Sequence, residues 1–412
     1  MTRKIWIVLA FLASGGAFAA ADRLWPSYLA QDFFALRAEL GAPTARDSGN
    51  VQFLRAATLA AFGRTADSAR MLDALIARPL ADHALEERAR ELLMLDRRAQ
   101  FQYAAALRAI SPLLGGNSPT AATRLSELRN RARLLDVIAD VPPQTVRRGA
   151  GTAVAMDAGG RVRILLGRGA ADMAIDTGAN LSVISHSAAV GLGFKIRPAG
   201  YAIGSSMGGA ARADIAVIDF AFADATHVAN AVFLVLPDRA LTMANGQTAD
   251  GLIGLPVIAA LGAIEYRGGR VAFNAAAIRG GASAELALAG SDPLLRVSYR
   301  GRDMLCRLDT GAERSIFYEP FYRQFRDTIA PARNRSVRIG GATGTRSFDT
   351  RDAGPVDIAI AGRAIRLGRA TILTEPLRGT TNAALACQIG RDALARLPYY
   401  TIDLTQMRLT LG

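Results

Sequence analysis

The chain has 412 residues, of which 50% are hydrophobic, and 49 Lys and Arg against 36 Asp and Glu give it a net charge of +13. This length allows two or three domains, and the apolar content is sufficient for hydrophobic cores. The arginines are scattered and show no interleaving with aromatic residues, which argues against a nucleic-acid-binding protein. A basic surface that tolerates anionic membranes, cell-wall polymers or acidic partners is the milder interpretation.

The first 21 residues have the features of a signal peptide. Arg3 and Lys4 give a positive start, residues 5–13 form an unbroken apolar run, and residues 17–19 fit a small-x-small cleavage site. The apolar run is short for a full membrane span. We therefore expect a cleaved signal over residues 1–21 and an exported protein, periplasmic or envelope-associated in a bacterium. The alternative is an uncleaved N-terminal anchor that would attach the protein to a membrane.

Residues 22–142 are rich in Ala, Leu and Arg at helical spacing. One apolar face follows i, i+3/i+4 spacing and comprises Phe53, Leu54, Ala57, Ala61 and Phe62. Successive helix pairs loosely resemble tetratricopeptide-type repeats without their full signature, so the sequence predicts an all-α helical-hairpin domain. Such a domain could dock a protein partner, or it could be a packed helical prodomain or spacer; the sequence favours neither.

Pro142 and Pro143 mark the end of the helical region, because proline pairs end helices and stiffen linkers. Strand-like alternation of apolar and polar residues follows as far as the C-terminus. Residues 280–290, rich in Gly, Ala and Ser, are predicted to be a linker. It divides this part of the chain into a first lobe, residues 143–282, and a second lobe, residues 283–412.

The two lobes carry the same landmarks. An apolar run leads into Asp-Thr-Gly-Ala at Asp176 and again at Asp309, and each copy continues with two variable residues, a serine and two apolar residues. Both copies are followed by a Gly-Gly-Ala sequence, by a later Ile-Gly pair and by a predicted terminal hairpin. A lone Asp-Thr-Gly is a weak signal. Two copies with matching flanks at a nearly constant offset indicate one lobe duplicated within the chain.

This pattern resembles the aspartic peptidases in their retropepsin-like form. Asp-Thr-Gly-Ala, a glycine-rich flap and the sequence Ile389-Gly390-Arg391-Asp392 are typical of that family, and the resemblance covers roughly the last two thirds of the chain. It implies a mainly β fold of duplicated acid-protease β-barrel lobes, here joined in one chain and preceded by the helical-hairpin domain. It also implies that the protein is an endopeptidase.

The resemblance identifies Asp176 and Asp309 as the catalytic residues, facing each other across one water. Like charges that close cannot both ionise easily, so the pair would share a proton. The ionised member would take a proton from the water while the protonated member polarises the scissile carbonyl. Alanine after each Asp-Thr-Gly is associated in this family with less acidic operation, so we expect activity at weakly acidic to neutral pH.

Residues beside the aspartates are expected to support them. Thr177 and Thr310 resemble the buried threonines that hydrogen-bond across the twofold axis, and Gly178 and Gly311 allow main-chain donors to approach the carboxylates. Further candidates for holding the active-site framework are Arg314 and Arg391.

The two glycine pairs Gly208-Gly209 and Gly340-Gly341 are predicted to be flap tips. Flaps would close over an extended peptide, exclude water and donate main-chain hydrogen bonds. Ordinary glycine-rich hairpin turns are the alternative, and the matching position in both copies favours flaps.

Cys306 and Cys387 each lie three residues before a landmark of the second lobe. In the family's fold those two segments run side by side, so one expectation in an exported protein is a disulfide. The other is a pair of small buried thiols.

Other chemistry has little support in the sequence. The three histidines are widely separated without metal-ligand spacing, and neither a phosphate-binding glycine loop nor a Gly-x-Ser-x-Gly elbow is present. We therefore expect no metal or other cofactor, a polypeptide substrate, and a protein partner only through the helical region. The rival hypothesis is a non-catalytic peptide-binding or scaffold protein of the envelope that uses the same fold.

Overall fold

A computed structural model describes residues 22–44, 47–115, 120–167, 169–204, 210–241, 249–273, 281–329, 333–341, 344–376 and 384–412. The predicted signal peptide and the glycine pair Gly208-Gly209 lie outside the described residues. Within these ranges, no helix is long and apolar enough to cross a membrane. The described part of the chain consists of a helical region followed by two mainly β lobes, which confirms the predicted fold class.

The helical region consists of seven helices over its described residues: α1 (22–29), α2 (Phe33–Glu39), α3 (Gly49–Ala61), α4 (Thr65–Ile76), α5 (His83–Ala99), α6 (Tyr103–Ile110) and α7 (Ala122–Val137). Side-chain caps define several starts, because a capping oxygen satisfies N–H groups that lack an intrahelical partner. The Asp82 carboxylate, for example, accepts from the N–H groups of Ala84 and Leu85 before α5. Consecutive helices from α3 to α7 pack on one another. The likeness to tetratricopeptide repeats stays a prediction.

The first lobe is built around a closed barrel. Its elements are β1 (Thr145–Arg147), β2 (Val154–Ala155), β3 (Arg161–Leu166), β4 (Gly169–Ile175), β5 (Ser182–Ser185), α8 (His186–Gly191), β6 (Ile196–Gly204), β7 (Ala210–Phe222), β8 (His227–Leu236), β9 (Gly251–Ile253), α9 (Leu255–Leu261), β10 (Ala263–Arg267) and β11 (Arg270–Phe273). One sheet has the order β1-β8-β5-β9-β4-β3-β7-β6, and an additional pairing of β7 with β8 closes six of these strands into a barrel.

The second lobe repeats these elements in an open sheet. They are β12 (Ala282–Glu285), β13 (Ala287–Ala289), β14 (Asp292–Tyr299), β15 (Arg302–Leu308), β16 (Ile316–Phe317), α10 (Glu319–Phe325), β17 (Arg333–Gly341), β18 (Gly344–Ala353), β19 (Val356–Ile360), β20 (Arg363–Leu367), β21 (Ala370–Leu373), β22 (Cys387–Ile389), α11 (Arg391–Leu394), β23 (Tyr399–Asp403) and β24 (Arg408–Leu411). The strand order is β17-β18-β21-β16-β22-β15-β14-β19-β20, with β13 paired to β14.

A third sheet joins the two lobes. Its order is β12-β24-β23-β10-β11-β2, so the predicted terminal hairpins β10–β11 and β23–β24 are confirmed and lie side by side. Tyr266 pairs with Tyr400 across the central β10–β23 contact, and their rings stack with centroids 4.7 Å apart. The predicted linker 280–290 is wrong in part, because β12 and β13 lie within it. Ala284, Leu286 and Ala287 bury their side chains there, and burial outweighs the loop-like composition.

The helical region packs directly on both lobes. One apolar cluster combines its helices with Leu181 and Val183 of the first lobe and with Leu305 and Tyr318 of the second. Ion pairs add to this contact between the helical region and the second lobe, at Arg37–Glu285 and Asp32–Arg296. The helices therefore share one apolar cluster with residues of both lobes.

Candidate active site

The structure brings the two motif aspartates together. Asp176 follows the last residue of β4 and Asp309 follows the last residue of β15. Each strand runs parallel to the strand that carries the later Ile-Gly landmark, and the aspartate N–H donates to the isoleucine carbonyl there. These bonds are 2.9 Å for Asp176 to Ile253 and 3.0 Å for Asp309 to Ile389. Equivalent strands of the two lobes thus deliver equivalent carboxyl groups to one place.

The glycines of the two motifs lie against the opposing aspartates. The Gly178 N–H donates to Asp176 Oδ1 at 2.8 Å, and the Gly311 N–H donates to Asp309 Oδ1 at 3.1 Å. A Cβ atom at Gly178 would lie 2.7 Å from Asp309 Oδ2, and one at Gly311 would lie 2.2 Å from Asp176 Cγ. Glycine is therefore required at both positions by the close approach of the two halves of the site.

The two threonines link the lobes beneath the aspartates. The Thr177 N–H donates to Thr310 Oγ1 and the Thr310 N–H donates to Thr177 Oγ1, both at 3.0 Å. Each hydroxyl then donates to a carbonyl oxygen of the other lobe, Thr177 to Leu308 at 2.9 Å and Thr310 to Ile175 at 2.7 Å. Both residues are buried. This arrangement fixes the two motif turns relative to each other.

The serine of each motif copy contacts the glycine of the later Ile-Gly landmark, where the two segments approach closely. Ser182 Oγ accepts from the N–H of Gly254, and Ser315 Oγ accepts from the N–H of Gly390, both at 3.0 Å. A Cβ at Gly254 would meet the main chain of the first motif at 2.4 Å, and one at Gly390 would meet the second at 2.7 Å. The sequence showed these serines as a repeated feature, but only the structure gives them a role.

Burial dominates the electrostatics of the site. Burial and, second, the negative charge of Asp309 together raise the pKa of Asp176 to about 7, against the opposing effects of the Gly178 N–H and of Arg307. Two carboxyl groups in contact favour a state with one proton. Asp176 therefore holds a proton at weakly acidic pH.

Arg307, which contacts one of the motif aspartates, was not among the residues that the sequence singled out. Its Nη2 lies 3.1 Å from Asp309 Oδ2, and its Nη1 lies 3.3 Å from Asp292 Oδ1. The available signal was a cation inside the apolar run that precedes the second motif, where the first motif has Ala174. Sequence alone does not show which residues the Arg307 side chain reaches, because that depends on the fold.

The two arginines singled out from the sequence have other positions. The Arg314 side chain is exposed and lies 3.9 Å from Glu313, so the expectation that it holds the active-site framework is wrong. The Arg391 guanidinium lies against Gly160 at a turn of the first lobe, and its main-chain N–H donates to Ala312 O at 2.9 Å. Arg391 therefore contacts the second motif through its main chain.

Gly340 and Gly341 end β17 and pair with Thr345 and Gly344 of β18, and this hairpin is compatible both with a flap tip and with an ordinary hairpin turn. The first glycine pair lies outside the described residues, but β6 and β7 lead towards it as paired strands. Helix α7 contacts β6, where the Asn130 side chain makes two hydrogen bonds of 2.8 Å to the N–H and the carbonyl of Ala202.

Cys306 and Cys387 form a disulfide. They lie opposite each other in the parallel pairing of β15 with β22, with Cα atoms 4.6 Å apart. The bond therefore joins the strand that carries Asp309 to the strand that carries the second Ile-Gly landmark. Over the ranges that the structure describes, no group of three or more His, Cys, Asp or Glu could hold a metal ion.

Comparison with known proteins relates this geometry to a family. Residues 161–257, which include Asp176, match the family described as aspartyl protease. Among solved structures, the chain is similar to the EIAV protease in complex with an inhibitor, with 26% identity, a TM-score of 0.19, and coverage of 25% of this chain and 86% of that one. It is also similar to a retropepsin-like aspartic protease from Rickettsia conorii, with 11% identity, a TM-score of 0.22, and coverage of 32% and 96%. No curated protein shows a significant match. The chain is thus similar over residues 161–257 to the aspartyl proteases, within a fold of two acid-protease lobes.

Proposed function

We propose that the protein is an aspartic endopeptidase that hydrolyses peptide bonds with a water activated between Asp176 and Asp309. The observation that carries this proposal is the convergence of two equivalent carboxyl groups, held by matching main-chain donors and by the reciprocal Thr177–Thr310 hydrogen bonds. A pair that shares one proton contains both an acid and a base, as this hydrolysis requires.

The chemistry needs no covalent intermediate. The ionised carboxylate removes a proton from the water, whose oxygen attacks the scissile carbonyl carbon, and the protonated carboxyl group polarises the carbonyl oxygen. The raised pKa of Asp176 supports operation at weakly acidic to neutral pH, since the proton is retained there. Any pKa values read from rates would belong to the pair.

The setting of this activity is part of the same proposal. Residues 1–21 would direct export to a periplasm or envelope, and residues 22–142, 143–282 and 283–412 would form the helical domain and the two lobes. The substrate would be a polypeptide bound beneath flaps that carry the two glycine pairs. The helical region would serve either to dock a protein partner or as a packed prodomain or spacer.

A non-catalytic peptide-binding or scaffold function is the rival. A binding module does not require two aspartates that face each other, nor glycines whose only evident need is the close approach of the opposite carboxylate. The geometry of the site therefore favours the endopeptidase.

The test is cleavage of a mixed peptide library between about pH 3 and about pH 8, with Asp176→Asn and Asp309→Asn beside the wild type. We expect each variant to lose activity by about 10³-fold or more, because the acid–base pair is destroyed. Asp172→Asn, on the exposed side of β4, is the matched control and should retain activity. Cleavage that persists in either dyad variant, or no cleavage by folded wild type at any pH, would overturn the proposal.

A further inference from the structure

The two halves of the site differ at one matching position. In the first lobe, Ala174 of β4 lies opposite Leu252 of β9. In the second lobe, Arg307 of β15 lies opposite Gln388 of β22, in the same register relative to the motif aspartate. A nonpolar pair next to Asp176 is therefore replaced by a polar, cationic pair next to Asp309.

Arg307 is the centre of a largely buried polar cluster. Its guanidinium contacts Asp309, Asp292 and the Oε1 atom of Gln388, and the Tyr318 hydroxyl donates to the same Gln388 oxygen at 3.1 Å. The side chains of Arg307 and Asp309 are 23% and 11% exposed. Water screens this ion pair less than it screens a surface pair, because both side chains are largely buried.

The hydrogen bonds to the two carboxyl groups are unequal as well. Asp309 accepts from the N–H groups of Gly311 and Ala312 on Oδ1, at 3.1 and 2.9 Å, and from Arg307 on Oδ2. Among the described residues, the main-chain donor to the Asp176 carboxyl group is the Gly178 N–H alone. Donors stabilise the charged form of a carboxyl group, so three donors against one favour the charge on Asp309.

We propose that Arg307 is a positioning residue that assigns the two roles in the dyad, making Asp309 the ionised base and Asp176 the proton-bearing acid. This inference rests on the proposed function. In the first step, the water proton passes to Asp309 while the water oxygen bonds to the carbonyl carbon, and the Asp176 proton passes to the carbonyl oxygen. In the second, Asp309 gives its proton to the leaving nitrogen, the C–N bond breaks, and one hydroxyl of the tetrahedral intermediate returns a proton to Asp176.

The other charged and titratable groups around the dyad are consistent with this assignment. Burial opposes the charge on Arg307, but Tyr318, Asp309 and Asp292 outweigh it and raise the Arg307 pKa, so the guanidinium stays charged. Burial raises the pKa of Asp292, and the charge of Arg307 opposes that rise. Burial also raises the pKa of Tyr266, which faces Asp176 from β10, and this phenol stays neutral.

The experiment compares the pH dependence of kcat/KM in wild type, Arg307→Met and Arg307→Lys. An opposite charge in contact lowers the pKa of a carboxyl group by about one to three. Because Arg307→Met removes that charge, the acid limb of the kcat/KM profile should move to higher pH by about one unit or more. Arg307→Lys should return the limb towards its wild-type position. Arg302→Met, the same change at the exposed start of β15, is the control and should not move it. An unmoved acid limb in folded Arg307→Met would overturn the inference.

Two additions keep the test decisive. Arg307→Met leaves Asp292 buried without its cation, so Arg307→Met/Asp292→Asn provides a variant without that unpaired charge if the single variant unfolds.

Carboxyl ¹³C NMR, with signals assigned through Asp176→Asn and Asp309→Asn, reads the proton directly and needs no activity. In the wild type we expect the Asp309 signal to stay at its ionised position while Asp176 titrates, whereas both signals should shift together in Arg307→Met. Equal titration in the wild type would overturn the assignment but not the proposed endopeptidase activity. Unequal titration without any peptide cleavage would overturn the endopeptidase and with it the catalytic roles, and only the unequal charge of the two carboxyl groups would remain.

Discussion

The hydroxyl of Thr177 accepts a hydrogen bond from the N–H of Thr310, and the hydroxyl of Thr310 accepts one from the N–H of Thr177, both at 3.0 Å. Each hydroxyl donates its own proton to a main-chain carbonyl of the other lobe. The closed set of four bonds satisfies buried groups of both motif turns at once. The position of one aspartate relative to the other therefore depends on two side chains that need not touch substrate.

Thr177→Val should destabilise the protein by roughly 1–3 kcal/mol, because it leaves the buried Thr310 N–H and Leu308 carbonyl without partners. Thr177→Ser keeps the hydroxyl and is the matched control. Urea unfolding followed by fluorescence gives both free energies of unfolding. Equal stability of the valine and serine variants would show that the reciprocal bonds contribute little.

Gly311→Ala should lower kcat by about 10²-fold or more, because its Cβ would lie 2.2 Å from Asp176 Cγ and must displace that carboxyl group. Gly178→Ala, with a closest approach of 2.7 Å to Asp309, should be affected less. Gly354→Ala is the control in the same lobe, since nothing lies within 4 Å of its added Cβ. Steady-state kinetics with a cleaved peptide measures all three, and full activity of Gly311→Ala would contradict the observed contact.

Asp176 should make stability depend on pH. Burial raises its folded pKa to about 7, whereas an unfolded Asp has a pKa of about 3.9. The folded protein then keeps a proton that the unfolded chain releases, so this stabilisation is complete below about pH 4 and is lost as the pH rises through about 7. Between about pH 4 and about pH 7, Asp176→Asn should reduce the decline of the free energy of unfolding with pH by up to about 1.4 kcal/mol per pH unit.

Asp96 requires a control in this measurement, because burial in α5 also raises its pKa to about 7. Unfolding free energies of wild type, Asp176→Asn and Asp96→Asn at several pH values separate the two contributions. The same slope in wild type and Asp176→Asn would mean that Asp176 does not titrate in this range.

Reducing the Cys306–Cys387 disulfide should destabilise the second lobe by about 4 kcal/mol on the chain-entropy view, because the bond closes a loop with a sequence separation of 81. The denaturation midpoint with and without a thiol reductant measures this. Cys306→Ala/Cys387→Ala is the control, and its midpoint should not respond to the reductant. A wild-type midpoint that is equally insensitive would contradict the prediction.

Asn130→Ala should speed hydrogen exchange at the Ala202 amide by about tenfold or more, because that N–H loses the Asn130 oxygen as its acceptor. Asn130→Asp keeps an acceptor oxygen and should preserve most of the protection. Exchange followed by mass spectrometry of the β6 peptide measures both variants. Unchanged exchange in Asn130→Ala would show that α7 does not hold β6 in solution.

The sequence by itself determined the duplicated motif, the mainly β fold, the terminal hairpins and the identity of the paired aspartates. These features are local: strand alternation, glycine turns and a repeated order of residues can all be read along the chain. The likeness of the helices to tetratricopeptide repeats stays a prediction. The prediction of a linker over residues 280–290 was wrong in part, because a composition rich in small residues does not reveal that Ala284 and Leu286 are buried.

Only the tertiary structure decided which long side chains reach the dyad. Arg307 and Arg314 are both arginines beside the second motif, yet one contacts Asp309 and the other faces solvent. Arg307 lies in β15 opposite Gln388 of β22, whereas Arg314 lies outside the strands, and this placement depends on how distant segments pair. The contact of α7 with β6 likewise depends on tertiary packing. Asn130 and Ala202 lie far apart in the chain, and they meet only because the helical region packs on the first lobe.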